Sequence, residues 1–197
     1  MPMMKTKTTK HRPNPVIEYA RAIEAGDVVV SRRVAEVYKR LAAEIADHPE
    51  RFSVRKAWRP IAFIERFCRH SKGAKGGQPF ELALWQRAFV AALFGFIDPG
   101  TGYRRYREAL CLMARKNGKS TLAAALMLYM LMADGEKGAQ VACAATKRDQ
   151  ARLIFDECHN MVRQSPALSA HVRKRKTDLW FAPTLSSLQP LGANYCD

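Results

Sequence analysis

Acidic residues are scarce in this chain: 18 Asp and Glu stand against 33 Lys and Arg, a formal charge of +15. Such an excess implies a polyanionic partner, most often nucleic acid, or a broadly basic surface, and charge by itself does not choose between them. The five cysteines (Cys68, Cys111, Cys143, Cys158 and Cys196) are odd in number, widely spaced and without a C-x-x-C pair. That spacing excludes a disulfide scaffold and a thiolate zinc site and suits a reducing cytoplasm. Cys158-His159 lacks a second pair to complete a metal set. The longest apolar run, Leu122 to Ala133, falls short of the ~18 to 20 residues that a bilayer takes, so no membrane partner is expected and the run reads as a buried helix. The opening "MPMMKTKTTKHRPNP" has no apolar core and is therefore no secretory signal; residues 1–15 read as a basic disordered arm.

With 48% hydrophobic and 26% charged residues, the remainder has the composition of a globular domain with a substantial core. Residues 16–78 read as a helical N-terminal region. Val16, Ala20 and Ile23 recur at helical spacing before Gly26, a C′ residue. Ser31 is placed to cap a helix carrying Val34, Val37, Leu41 and Ile45, which closes at His48-Pro49. A further helix bears Ala57, Ile61, Ile64 and Cys68, and Pro60 must kink it or start it. "KGAKGGQP" then breaks the chain into a flexible loop, and a helical pattern returns from Leu82 to Phe96.

Residues 79–197 read differently. Ala109 to Met113 has the length of a buried strand, and a helix follows its loop. "AQVACAA" at 139–145 reads as a second buried strand. Ala151, Ile154, Phe155, Cys158, Met161 and Val162 mark another helix, with Thr146 as its cap. Strand, loop, helix, strand, helix is the order of a parallel α/β sheet. The tail holds short β-like pieces split by Pro183 and Pro190.

Between the first strand and its helix lies "MARKNGKS", the frame of a G-x-x-x-x-G-K-[ST] phosphate loop with Met113 in place of the first glycine. Gly118 lets successive N–H groups face an anion, Lys119 sets an ammonium on the β/γ-phosphates, and Ser120 offers a hydroxyl to Mg²⁺. The helix beginning there adds its dipole and its unpaired N–H groups. The other reading is a plain turn and helix cap, since G-K-[ST] is common by chance; the strand-loop-helix context favours the phosphate loop.

"LALWQRAFVAALFGF", "RRYREALCLMARKNGKST" and "VACAATKRDQARLIFDECHNMV", in that order, resemble the N-terminal ATPase domain of the large terminase subunit, the DNA-packaging motor of tailed double-stranded DNA bacteriophages. The resemblance runs from about Trp58 through Asp197. It implies a P-loop NTPase sheet flanked by helices, with ATP and Mg²⁺ as cofactors. It implies a loop of R-K-x-G-K-[ST] form, in which Arg115, Lys116, Asn117, Gly118, Lys119, Ser120 and Thr121 contact the nucleotide. Arg115 would act in cis on the γ-phosphate; without the family, Arg115 and Lys116 read as solvated loop cations. Gln86 would read the adenine edge, because an amide donates and accepts at once; without the family it reads as a surface glutamine. The implied partners are double-stranded DNA, a small terminase subunit and the capsid portal, in an oligomeric ring in the bacterial host cytoplasm.

"HVRKRK" at 171–176 and the arginine pair Arg104-Arg105 of "YRRYRE" are candidate phosphate-backbone contacts, while Tyr103 and Tyr106 are expected to pack rather than stack on bases. The family also implies an apolar strand ending in Asp-Glu, which does not occur before Asp197. The chain therefore reads as an N-terminal fragment whose strands Ala109 to Met113 and Gln140 to Ala144 lack their neighbours and which is inactive alone. Two other readings stay open: a helicase-like P-loop motor, and a non-catalytic basic DNA-binding module with a decayed nucleotide site.

Overall fold

The computed structural model describes residues 12–114 and 116–192. Arg115, Cys196 and residues 1–11 of the basic arm lie outside the described residues. Three helices come first: α1 (Pro15–Glu24), α2 (Arg32–Asp47) and α3 (Val54–Phe67). Their ends follow sequence chemistry. Asn14 Oδ1 accepts from Val16 N–H at 3.0 Å with Pro15 in the first turn, and Ser31 and Ser53 cap the other two. Residues 12–15, assigned to the arm, thus belong to the fold, and Trp58 Nε1 donates to Pro13 O at 2.9 Å. Helix α3 continues through Pro60, which is buried inside it rather than at its start.

Next come α4 (Leu84–Gly95) and α5 (Lys119–Met132), then β1 (Gln140–Ala145), α6 (Arg148–Gln164), the short α7 (Pro166–Ser169), β2 (Val172–Lys174), β3 (Leu179–Phe181) and β4 (Ser186–Gly192). The sheet order is β1-β4-β3-β2. β1 runs parallel to β4 from Gln140↔Ser187 to Ala145↔Gly192, while β4–β3 and β3–β2 are antiparallel. Helices α5 and α6 pack on each other and on β1 and β4, so the α/β class holds with a mixed rather than wholly parallel sheet.

Two sequence expectations are corrected here. Ala109 to Met113 is not a strand: the segment forms no ladder, and Leu110 and Leu112 are 84% and 85% exposed. An apolar run becomes a strand only where another strand presents its N–H and C=O groups. The parallel partner of β1 is instead β4, from the tail; its Pro190 sits beyond the end of β3, where β4 has no antiparallel neighbour to lose a bond to. Thr146 does not cap α6, whose N-cap is Lys147; its hydroxyl lies 3.3 Å from Gln150 Oε1.

One hydrophobic cluster extends from Val16 on α1 to Leu188 on β4, so the helical region and the sheet region share a core. Among the described residues no helix is long and apolar enough to cross a membrane. Among the glycines, Gly95 leaves the least room for a side chain. A Cβ there would lie 2.5 Å from Phe52 Cε2 and 3.0 Å from Ala57 Cβ, and the Phe52 ring is itself buried edge-on against Phe96. Gly95→Ala is therefore expected to destabilise the fold by about 1–3 kcal/mol despite alanine's better helix propensity. Thermal unfolding would register this as a Tm lower by ~2–4 °C per kcal/mol; an unchanged or higher Tm would show that the Phe52 ring yields freely.

Candidate nucleotide site

Helix α5 begins where its sequence turns from polar to apolar. Gly118, its N-cap, has φ +74°, and Lys116 has φ +67°. Left-handed geometry is costless for glycine and strained for lysine, so the loop holds Lys116 in a conformation worth roughly 1–3 kcal/mol of strain. Backbone of this kind turns its N–H groups to one side, toward the mouth of the helix. The Lys119 ammonium folds back across the loop and donates to the Met113 carbonyl at 3.5 Å, spanning the frame from its first position to its lysine.

Lys116, Gly118 and Lys119 line a cavity of about 410 Å³ together with Lys72, Ala114, Ser120, Thr121, Leu153 and Glu157. Ser120 and Thr121, adjacent in sequence, part company here. The Thr121 hydroxyl donates to Glu157 Oε1 at 3.2 Å, whereas Ser120 is exposed at the cavity. The chemistry of these donors suits Mg²⁺ carried in on phosphates and water, since a serine hydroxyl is a hard oxygen ligand and that cation is rarely caged by protein alone. Among the described residues no group of three His, Cys, Asp or Glu could hold a metal by itself.

Gln86 reaches the same place. A Cβ on Gly118 would lie 3.7 Å from its Nε2, while its Oε1 accepts from Ala83 N–H at 2.9 Å. It is a buried side chain, 6% exposed, where the residue type alone suggested a surface glutamine. Gln86, Lys116, Gly118, Lys119, Ser120 and Thr121 are thus brought together; Asn117 is exposed in the loop between Lys116 and Gly118.

Sequence reasoning missed Glu157 and Lys72. Glu157 is 6% exposed and accepts a second hydrogen bond, at 2.7 Å, from Ser71 Oγ. Nothing local marks it, because its partners are 36 and 86 residues away. The neighbouring Cys158 is a core thiol lying 3.7 Å from the Ala124 carbonyl, and burial pushes its pKa up; burial, followed by Lys174 and Arg163, pulls His159 down. A cavity of about 510 Å³ between α1 and α2 holds none of the expected site residues.

The basic candidates separate by environment. Arg104 pairs with Asp134 at 3.4 Å and lies over the Phe94 ring, Arg105 pairs with Glu44, and Arg175 pairs with Asp178 over Trp180. Lys174 and Lys176 instead line a polar cavity of about 230 Å³ with Arg148 and Arg152 of α6. Tyr106 packs edge-on against Phe96, but Tyr103, expected to pack, is 76% exposed.

The sequence model of the family described as "Terminase large subunit, ATPase domain" matches residues 84–194. The large terminase subunit of Enterobacteria phage HK97 is 36% identical over 111 residues, which are 56% of this chain and 21% of that protein. The crystal structure of the HK97 bacteriophage large terminase superposes with a TM-score of 0.60 at 31% identity, covering 71% of this chain and 28% of that one. The chain therefore spans less than a third of the length of these relatives.

Since the space around Gly118 is open at 3.7 Å, a side chain there meets a conformational rather than a steric cost. Gly118→Ala is expected to lose about 1–2 kcal/mol. A urea titration would show a lower midpoint at an unchanged slope; an unaltered midpoint would mean that the left-handed turn is not held in solution.

Proposed function

The chain belongs to the family of the terminase large subunit ATPase domain, and from that premise we propose that it carries the ATP-binding and hydrolysing machinery of a phage DNA-packaging motor, coupled in the whole protein to DNA translocation. The observation that carries this reading is the left-handed Gly118 opening α5 onto a cavity that Lys119, Ser120 and Thr121 share. A helix N-terminus with free N–H groups favours an anion, and the lysines add charge.

In this reading Lys119 leaves the Met113 carbonyl to hold the β/γ-phosphates, and Lys116, Asn117, Gly118 and Thr121 complete the cradle. Ser120 is the hydroxyl ligand for Mg²⁺, which supplies neutralisation of phosphate charge when bound. Arg115 offsets charge on the transferring phosphoryl group, a role that suits a guanidinium. Gln86, held by Ala83 N–H, presents its amide NH₂ beside the loop for the adenine edge. The proposed partners are double-stranded DNA, the small terminase subunit and the portal, in a ring in the host cytoplasm. The groove of Arg148, Arg152, Lys174 and Lys176 is the best-supported DNA contact, because it gathers four cations around one acid, Asp156.

In the full-length protein Lys119→Ala is expected to abolish ATPase activity, whereas Arg115→Ala should lower kcat far more than it weakens ATP binding, because the charge demand peaks during transfer. Steady-state hydrolysis with nucleotide titration checks both: unchanged turnover in Lys119→Ala removes the function, and a pure affinity loss in Arg115→Ala reassigns that residue to the ground state. For DNA, Arg152→Ala/Lys174→Ala/Lys176→Ala should weaken duplex binding and flatten its dependence on log salt by about 0.9 per lost phosphate contact. Equal affinity and slope would place the DNA elsewhere.

A further inference from the structure

The loop that precedes α4 is not the flexible break its glycines suggest. Its ends are joined at the Arg69↔Pro79 bridge, His70 N–H donates to Gln78 O at 3.0 Å, and Gly77 N–H donates to His70 O at 2.8 Å. Gly73 and Gly77 take φ +77° and +79° to close the turn. The hairpin is tied to the phosphate loop by one carboxylate. Glu157 receives the Ser71 hydroxyl on Oε2 at 2.7 Å and the Thr121 hydroxyl on Oε1 at 3.2 Å. The residue after Ser71 is Lys72, an exposed lysine that lines the same cavity as Lys116 and Lys119.

A buried carboxylate beside an anion site is costly twice over, through its own desolvation and through repulsion of the ligand. Both oxygens of Glu157 being held by hydroxyls accounts for the first. The second is offset only if cations outnumber it, and the cavity lining sets three lysines (Lys72, Lys116 and Lys119) against this acid. Resting on the nucleotide reading above, we propose that Lys72 is a nucleotide-phosphate ligand contributed from outside the phosphate loop, and that Glu157 is the positioning residue that holds it there through Ser71.

The test is titration of the 197-residue chain with a fluorescent ATP analogue and with the matching adenosine analogue, with thermal unfolding of each variant as a check on folding. Lys72→Ala, at an exposed position, is expected to weaken the triphosphate about tenfold, as loss of a charged hydrogen-bond donor does, and to leave the nucleoside unaffected. Ser71→Ala should produce a similar loss while leaving Lys72 in the sequence. The double variant Ser71→Ala/Lys72→Ala should be no weaker than Lys72→Ala alone, because a residue acting only through another adds nothing once that other is gone. Additive losses overturn the positioning role. Wild-type affinity in Lys72→Ala, with binding lost in Lys119→Ala, overturns the proposal and leaves the nucleotide reading standing. A wild-type chain that binds no triphosphate, or a Lys119→Ala chain that binds it fully, overturns both.

Discussion

After Thr121 helix α5 has no polar face, and it can exist only where other elements cover it on every side. Leu122, Ala124, Ala125, Met127, Leu128, Tyr129 and Leu131 are all buried. A helix apolar all round belongs to the centre of a domain, and the fold meets that demand by bringing α3, α6, β1 and β4 against it. Aromatic contacts seal one flank, where Tyr129 meets Phe63 at 5.7 Å and Phe94 at 5.3 Å between ring centroids. At ~25 cal/mol per Å² of apolar surface such burial is the largest favourable contribution available to a single element. Its far end is held as well: Arg59 Nη2 donates to the Ala133 carbonyl at 2.8 Å, satisfying a C-terminal group of the helix. A helix fixed this firmly has only its first turn free to meet solvent, and that turn carries Lys119, Ser120 and Thr121.

The electrostatics of the site follow from this placement. Burying the body of α5 leaves its N-terminal N–H groups at the surface with the positive end of the dipole. Glu157 would oppose an anion there, yet it is spent on Thr121 and Ser71 and so serves to hold the first turn of α5 against α6 and against the hairpin before α4. His70, in that hairpin, packs edge-on to Phe80 at 5.0 Å; burial and then Lys75 depress its pKa, with Glu157 pulling the other way. Around neutral pH it therefore tends to the uncharged form and adds little to the cation balance, which rests on the lysines.

What was legible in the sequence was local. Ser31 as cap, Gly26 past the end of α1, the amphipathic period of α3 and α6 and the glycine at the turn into α5 each depend on residues a few positions apart, so a linear reading finds them. The strand expected at Ala109 to Met113 failed for the opposite reason: strand formation is settled by a distant partner, and its composition carries no record of whether one is present. The tail reads as short β-like pieces split at Pro190, but β4 runs through that proline, whose place beyond the end of β3 leaves it no antiparallel neighbour to bond. In the site, the Gly-Lys-Ser core was visible because backbone geometry and charge are written into residue types. The division of labour between Ser120 and Thr121 was not, since it is decided by Glu157 on another helix. Of the basic residues, composition could not separate Arg104, Arg105 and Arg175, each committed to an acid and an aromatic ring, from Lys174 and Lys176 at the cavity.

The N-terminal helices, which looked like a separate region in the sequence, set the geometry of the site at one remove. Glu65 on α3 receives Arg87 Nε at 2.8 Å and Leu82 N–H at 3.3 Å on the same oxygen, so it pins both the approach to α4 and its first turn. That turn carries Gln86, whose Oε1 closes back on Ala83 N–H and whose Nε2 is thereby left beside Gly118. The hairpin leaving the other end of α3 carries Ser71 and Lys72. One helix thus leads to two separate groups near the mouth of α5, an amide through α4 and a lysine through the hairpin, and the hairpin is held in turn by Glu157 of α6, which packs on β1 and β4. A change in the tilt of α3 would move both against the loop that opens α5, so the packing of α3 on α4 and α5 and the Glu157 bridge from α6 together decide how these groups meet.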